Sequence, residues 1–239
     1  SSNTHPNPYY TNPFDVAFGD LDGDGKAEVV VPNFYINVVS IYRNVSVPGL
    51  IILQPQKDLF TQGQPTKVNI LDLNGDGKPE IIVHYYSSTF NIYKNLSSPG
   101  NLNFSLMDKD TLGGSSYERV IVADFDSDGK PDLAAALGTS NKVSVVRNTS
   151  NSSEISFDNP VYFVAEQEPR SVVAADFNGD GKMDMAVSNF NNNTISIFKN
   201  ISTPGEILFN TPFNISADNE LGTLISADFD NDGKADLAV

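Results

Sequence analysis

An acidic nine-residue loop recurs five times in this chain of 239 residues, and its spacing is constant. The loops begin at residues 20, 72, 124, 176 and 228, so each starts 52 residues after the one before. A fixed period of this length indicates a repeat architecture, in which each repeat is a small unit that is stabilised by stacking on its neighbours. At 239/52 the chain holds about 4.6 repeats, which begin near residues 14, 66, 118, 170 and 222, and the last is incomplete.

Short apolar segments flank each loop, as in RVIVA before the third loop and LAA after it. A third segment with alternating polarity follows, such as TISIFK in the fourth repeat, and a weaker fourth is placed near IILQ, LNFSL, ISF and ILF. Segments of this length that are rich in β-branched residues predict strands, and no stretch has a sustained helical period. The sequence therefore predicts an all-β chain, residues 1–239, that forms part of a β-propeller with four-stranded antiparallel blades.

The loops place side-chain oxygens at positions 1, 3, 5 and 9, and the lysine at position 7 offers its main-chain carbonyl. A glycine at position 6 permits the sharp turn that directs alternate residues toward one centre. Oxygen donors in a flexible loop suit Ca²⁺, so the sequence predicts about five calcium ions. The predicted ligands are Asp20, Asp22, Asp24, Lys26 and Glu28; Asp72, Asn74, Asp76, Lys78 and Glu80; Asp124, Asp126, Asp128, Lys130 and Asp132; Asp176, Asn178, Asp180, Lys182 and Asp184; and Asp228, Asp230, Asp232, Lys234 and Asp236.

Other interpretations of the loops are weaker. Mg²⁺ demands a stricter octahedron and retains more water, and zinc is disfavoured because the loops contain no His or Cys. A single acidic turn can arise from local hydrogen bonding alone, but five copies in one register argue against that origin. Loops 2 and 4 carry Asn74 and Asn178 at position 3, so we expect them to bind calcium more weakly than loops 1, 3 and 5.

Composition narrows the function classes. The net charge of −15 disfavours nucleic acid as a partner, and five bound Ca²⁺ ions would reduce it to −5. The absence of cysteine excludes disulfides and thiolate metal sites. No apolar run is long enough for a transmembrane helix, and the first residues lack the features of a signal peptide, so an exported protein would have its signal removed or encoded outside this segment.

The pattern DxDxDGxxD between two strands resembles the FG-GAP and VCBS repeats of integrin α-subunit propellers and bacterial surface proteins. The apolar residue at loop position 2 and the Phe18-Gly19 pair belong to the same resemblance. The resemblance implies a propeller of seven blades, of which this chain would be a part, with calcium in the loop between the first two strands of a blade. It also implies a recognition or adhesion role at a bacterial surface or in secreted form, with further blades elsewhere in the parent chain.

A partner is expected on the face opposite the calcium loops, where the turns between second and third strands collect aromatic and amide side chains. These residues are Asn33, Phe34, Tyr35, His84, Tyr85, Tyr86, Tyr117, Asn189 and Phe190. The alternative for each is packing between blades, and His84 and His5 are not expected to be catalytic. Because no nucleophile elbow, zinc motif or phosphate loop occurs, we expect a protein- or glycan-binding module and not an enzyme. The open alternatives are a lectin and the non-catalytic propeller of a secreted enzyme.

Overall fold

A computed structural model describes residues 12–86, 89–107, 120–217 and 221–239. Their strands form four sheets of four strands and one of two, and consecutive strands pair antiparallel within each sheet. Blade 1 contains β1 to β4, blade 2 β5 to β8, blade 3 β9 to β12, blade 4 β13 to β16, and blade 5 β17 and β18. In chain order the strands are Ala17–Gly19, Glu28–Asn33, Val38–Asn44, Leu53–Phe60, Pro65–Leu71, Glu80–Tyr85, Phe90–Asn95, Phe104–Met107, Val120–Ala123, Asp132–Leu137, Lys142–Val146, Val161–Val164, Pro169–Ala175, Asp184–Asn189, Thr194–Phe198, Phe213–Ser216, Ile225–Ala227 and Asp236–Ala238.

These sheets confirm the predicted all-β class and the four-stranded antiparallel blade of a partial β-propeller. The helical segments found in the described ranges are two 3₁₀ turns, Phe34–Ile36 and Gly138–Ser140. No helix in these ranges is long and apolar enough to cross a membrane. The chain divides into two compact units, residues 1–110 with blades 1 and 2, and residues 111–239 with blades 3 to 5.

Each unit has its own core between adjacent blades. In the first unit Val30 and Ile41 of blade 1 pack in one cluster with Ile81 and Val83 of blade 2. In the second unit the cluster joins blades 3 and 4, and a further one joins blade 4 to blade 5. The second strand is buried at every residue in blades 2, 3 and 4, and at four of its six residues in blade 1. A single blade could not bury both of its faces, so stacking supplies the core.

The fourth strand lies elsewhere than predicted in two blades. β12 and β16 begin at Val161 and Phe213, whereas the prediction placed them at ISF (155–157) and ILF (207–209). Phe157 and Phe209 make only isolated bridges, Ile155 and Ile207 are buried, and Ile207 packs in the core cluster of blades 3 and 4. The apolar pattern there reflects burial outside a strand, and a short apolar segment does not distinguish that from a buried strand.

Candidate metal centre

The acidic loops connect the first and second strands of their blades, and the core anchors them. The apolar residue at position 2 is buried in the first three loops (Leu21, Leu73 and Phe125). Its counterpart Phe177 is half-buried, and Phe229 in blade 5 is 54% exposed. Blades 1 to 3 therefore hold their loops from beneath by a hydrophobic residue inside the acidic motif.

The position 1 carboxylate binds the loop's own backbone. Asp20 accepts hydrogen bonds from the N–H of Gly23 and Gly25, both at 2.8 Å, and Asp124 accepts one from Gly129 at 2.9 Å. The same arrangement recurs in loops 2, 4 and 5. Positions 4 and 6 have positive φ in all five loops, and position 4 is Ser127 or Asn231 where it is not glycine. These bonds curve the loop around its carboxylates, so the sequence motif specifies the loop shape.

The position 9 acid starts the second strand and is buried in the four complete blades. It accepts the backbone N–H of position 2, as in Leu21 to Glu28 at 2.8 Å and Phe125 to Asp132 at 2.9 Å. Burial raises the pKa of Glu80 and of Asp132 to about 7. Repulsion from neighbouring loop aspartates also raises this pKa, whereas the backbone N–H groups that donate to the carboxylates lower it. Burial also raises the pKa of Glu28. Bound cations would favour the ionised form of these acids.

Three loops bring three carboxylates together. The groups are Asp20, Asp22 and Glu28; Asp124, Asp126 and Asp132; and Asp228, Asp230 and Asp236, in each of which ligand oxygens lie within 4.8 Å of one another. A cluster of hard oxygen donors on one flexible loop fits Ca²⁺ by the chemistry of its donors. Positions 1, 3 and 9 thus lie together in loops 1, 3 and 5.

Position 5 carboxylates and position 7 lysines form hydrogen bonds within the protein. The position 5 carboxylates Asp24 and Asp128 are outside these three groups, and each accepts the N–H of its position 7 lysine. The ammonium groups of Lys78 and Lys182 donate to the main-chain carbonyls of Ser97 and Ser202 at 3.0 and 2.6 Å. In loops 2 and 4 the lysine ammonium groups are therefore held by the protein, a contact that the sequence motif did not predict.

Loops 2 and 4 use an amide where the others have a carboxylate. The Nδ2 of Asn178 donates to Asp184 at 2.7 Å, and that of Asn74 donates to Asp76 at 3.2 Å. The amide N–H donates a hydrogen bond to a carboxylate of the same loop. Asparagine in place of aspartate also lowers the negative charge of the loop by one. This geometry supports the expectation of weaker calcium binding at loops 2 and 4.

Two arginines contact the position 3 aspartates, and sequence reasoning missed them. Arg43 on β3 pairs with Asp22 at 2.8 Å and Asp24 at 3.0 Å, and Arg147 lies 3.6 Å from Asp126. Burial alone would raise the pKa of Asp22, but a hydrogen bond from Gly100 N–H and the Arg43 guanidinium outweigh it, so the pKa is lowered. The sequence contains a signal for these contacts, at the residue just before the asparagine that lies at or near the end of the third strand. Where position 3 of the loop is Asp, this residue is arginine. Where position 3 is Asn, it is lysine (Lys94 and Lys199).

Position 3 also joins neighbouring blades. The N–H of Gly100 in blade 2 donates to Asp22 of blade 1 at 2.8 Å, and Gly205 in blade 4 donates to Asp126 of blade 3 at 2.7 Å. Loops 1 and 3 are therefore both acid clusters and contact points between blades.

The asparagines at the end of the third strand are the second missed group. Asn95 donates through Nδ2 to the carbonyls of Leu21 and Pro79, both at 2.9 Å, and Asn200 donates to those of Phe125 and Met183, both at 2.8 Å. Each thus bonds its own loop and the loop of the preceding blade. Asn44 and Asn148 occupy the same place in the other complete blades, and this recurrence after a basic residue was the available signal.

Half of the described residues on the expected partner face are buried. Asn33, His84, Tyr85 and Asn189 are buried, and burial lowers the pKa of His84 to about 3. Tyr35 and Tyr86 are 62% and 73% exposed, whereas Phe34 and Phe190 are half-buried. Tyr117 and His5 lie outside the described residues. Packing inside the protein therefore applies to four of the eight described residues of the predicted set.

Residues 72–135, 124–187 and 177–239 each match the sequence model of the FG-GAP-like repeat. Similar solved structures include two crystal structures of BBS1N in complex with ARL6DN, one soaked with lead and the other with mercury. Their TM-scores are 0.51 and 0.53 at 13% and 14% identity, over 86% of this chain. The chain spans 57% and 54% of the lengths of those two chains. Among curated proteins nothing matches.

Proposed function

Since this chain belongs to the FG-GAP-like repeat family, we propose that it is a calcium-stabilised β-propeller module that recognises another protein outside the cell. The observation that carries the proposal is the recurrence of one acid cluster, with the same three loop positions, in loops 1, 3 and 5. Recurrence at a fixed place in the blade favours a structural ion over a reaction centre, because an active site is normally built once.

Positions 1, 3 and 9 of those loops would hold the ion, which supplies positive charge to a strongly acidic chain. Each loop joins the first two strands of its blade, and in loops 1 and 3 position 3 also contacts the next blade. Binding there stabilises the stacked blades because the unfolded chain offers no such cluster. Loops 2 and 4, with their amide contacts, are weaker sites in this proposal.

Protein recognition is supported by an exposed aromatic patch in the first unit, comprising Phe14, Phe34, Tyr35 and Tyr86. The ring of Phe34 lies 4.7 Å from Phe14, 5.3 Å from Tyr35 and 5.7 Å from Tyr86. Clustered aromatic side chains supply much of the binding energy at protein interfaces. A structure similar in fold, BBS1N, is solved in complex with ARL6DN, which accords with a protein as partner.

Site-specific photo-crosslinking in the native cells tests the recognition. We expect a photoreactive phenylalanine analogue at Tyr35 or at Tyr86 to yield the same discrete adduct with a second protein. The control position is Ile51, which is 84% exposed and outside the patch, and we expect no such adduct from it. Absence of an adduct at both tyrosines, or an identical pattern from Ile51, would contradict recognition through this patch.

A further inference from the structure

A cleft of about 440 Å³ lies between blades 3 and 4 in the second unit. Its lining includes β12 of blade 3, and Ser196, Phe198 and the segment 209–214 of blade 4. Phe163 and Phe209 meet edge to face at 5.1 Å, and Phe198 is fully buried behind them. The volume is within the roughly 300–1,000 Å³ range of ligand sites, and aromatic walls with a few fixed polar groups are typical of them.

The polar side of the cleft is held by a hydrogen-bond network. Glu166 accepts from the Nδ2 of Asn192 at 2.8 Å and from the Nδ2 of Asn214 at 2.7 Å. The Oδ1 of Asn214 accepts from the buried hydroxyl of Ser196 at 2.7 Å. Glu166 and Asn214 are therefore oriented by the protein itself before any ligand arrives.

Glu166 is the one acidic side chain among the residues that line this cleft. Both partners found for its carboxylate are neutral amides, and within the described ranges no Lys, Arg or His forms an ion pair with it. Glu168, two residues away, differs because Arg170 pairs with it at 2.7 Å. An uncompensated carboxylate on a chain of net charge −15 repels anions and attracts cations.

We propose that this cleft receives a lysine or arginine side chain of the protein partner. The cation pairs with Glu166, and the rings of Phe163 and Phe209 cover the methylene stem and contribute cation–π attraction. The chain itself already stacks such groups, because Arg170 lies 3.2 Å from the Phe190 ring centroid and Lys142 lies 5.4 Å from that of Tyr162. The inference rests on the proposed function only in taking the partner to be a protein.

Titration of the calcium-loaded protein with N-acetyl-arginine amide, followed by ¹H–¹⁵N NMR, tests this directly. We expect saturable shifts of the Asn192 and Asn214 side-chain amides, and affinity at least tenfold weaker for the neutral analogue N-acetyl-citrulline amide. Glu166→Gln should weaken arginine binding at least tenfold. Glu168→Gln, which removes the neighbouring carboxylate that is already paired, should change it less than twofold.

A second variant separates loss of charge from loss of local structure. Asn192→Ala removes one amide donor but keeps the carboxylate, so we expect binding within about threefold of the parent protein. Equal binding of citrulline, or unchanged binding by Glu166→Gln, would overturn the proposal. So would shifts of these amides by methyl glucoside without any response to arginine. The readout does not use the aromatic patch or its crosslinks, so it can fail while protein recognition stands.

Discussion

Removal of calcium from the loaded protein is expected to lower its melting temperature by about 15 °C or more. A ligand that binds only the folded state stabilises it by about 2.7 kcal/mol when its free concentration is 100 times its Kd. Three such sites give about 8 kcal/mol, and 1 kcal/mol corresponds to about 2–4 °C in a chain of this size. The measurement is calorimetry in excess Ca²⁺ and then in chelator, with Mg²⁺ as the competing ion.

Two matched proteins identify the origin of that shift. The triple variant Asp20→Asn, Asp124→Asn and Asp228→Asn removes one carboxylate from each acid cluster. Glu206→Gln removes a carboxylate from a turn of blade 4 outside the loops. We expect the calcium shift to fall by more than half in the triple variant and to persist in Glu206→Gln. An equal shift in both would assign the effect to general screening of the acidic surface.

Asn200→Ala is expected to lower the free energy of unfolding of the second unit by about 3 kcal/mol. The substitution deletes the two hydrogen bonds that Nδ2 donates, which leaves the carbonyls of Phe125 and Met183 without that donor, and a third that Oδ1 accepts from the Ser202 N–H; all three are 2.8 Å long. An intramolecular hydrogen bond contributes about 1 kcal/mol net, and an unsatisfied buried partner costs about 1–3 kcal/mol. Denaturation followed by circular dichroism measures the difference.

Asn44→Ala is the control for this prediction. Asn44 occupies the same place in blade 1 and likewise caps the following turn, but its Nδ2 donates to one carbonyl, that of Ala27. We expect a loss of about 1 kcal/mol there. If the two variants lost equal stability, the bond between Asn200 and the neighbouring blade would not be the source of the larger effect.

The period of the loops was sufficient to predict the fold class, because the interval between equivalent residues gives the length of one repeat and the positions of its boundaries. The same period predicted one acidic site in each loop, and the structure brings positions 1, 3 and 9 together in loops 1, 3 and 5. The fourth strands of blades 3 and 4 were misplaced because ISF and ILF are apolar for a different reason: Ile155 and Ile207 are buried outside the strands, Ile207 in the core cluster of the two blades.

The contacts between blades were harder to foresee. Arg43 is 21 residues from Asp22, and Gly100 is 78 residues from it, so their meeting depends on how blades stack. The recurring pair of a basic residue and asparagine at the end of the third strand marks these positions. Periodicity of hydrophobic residues, which guided the strand prediction, carries no information about them.

Native mass spectrometry with a calcium titration tests the central claim most directly, because it counts ions per chain. The expected result is a first plateau of three ions, with two more binding only at higher free calcium. Asp20→Asn, Asp124→Asn and Asp228→Asn should each lower that plateau by one, whereas Asp72→Asn and Asp176→Asn should leave it at three. Absence of bound calcium, or loss of an ion from the first plateau in Asp72→Asn or Asp176→Asn, would contradict calcium held by the acid clusters of loops 1, 3 and 5.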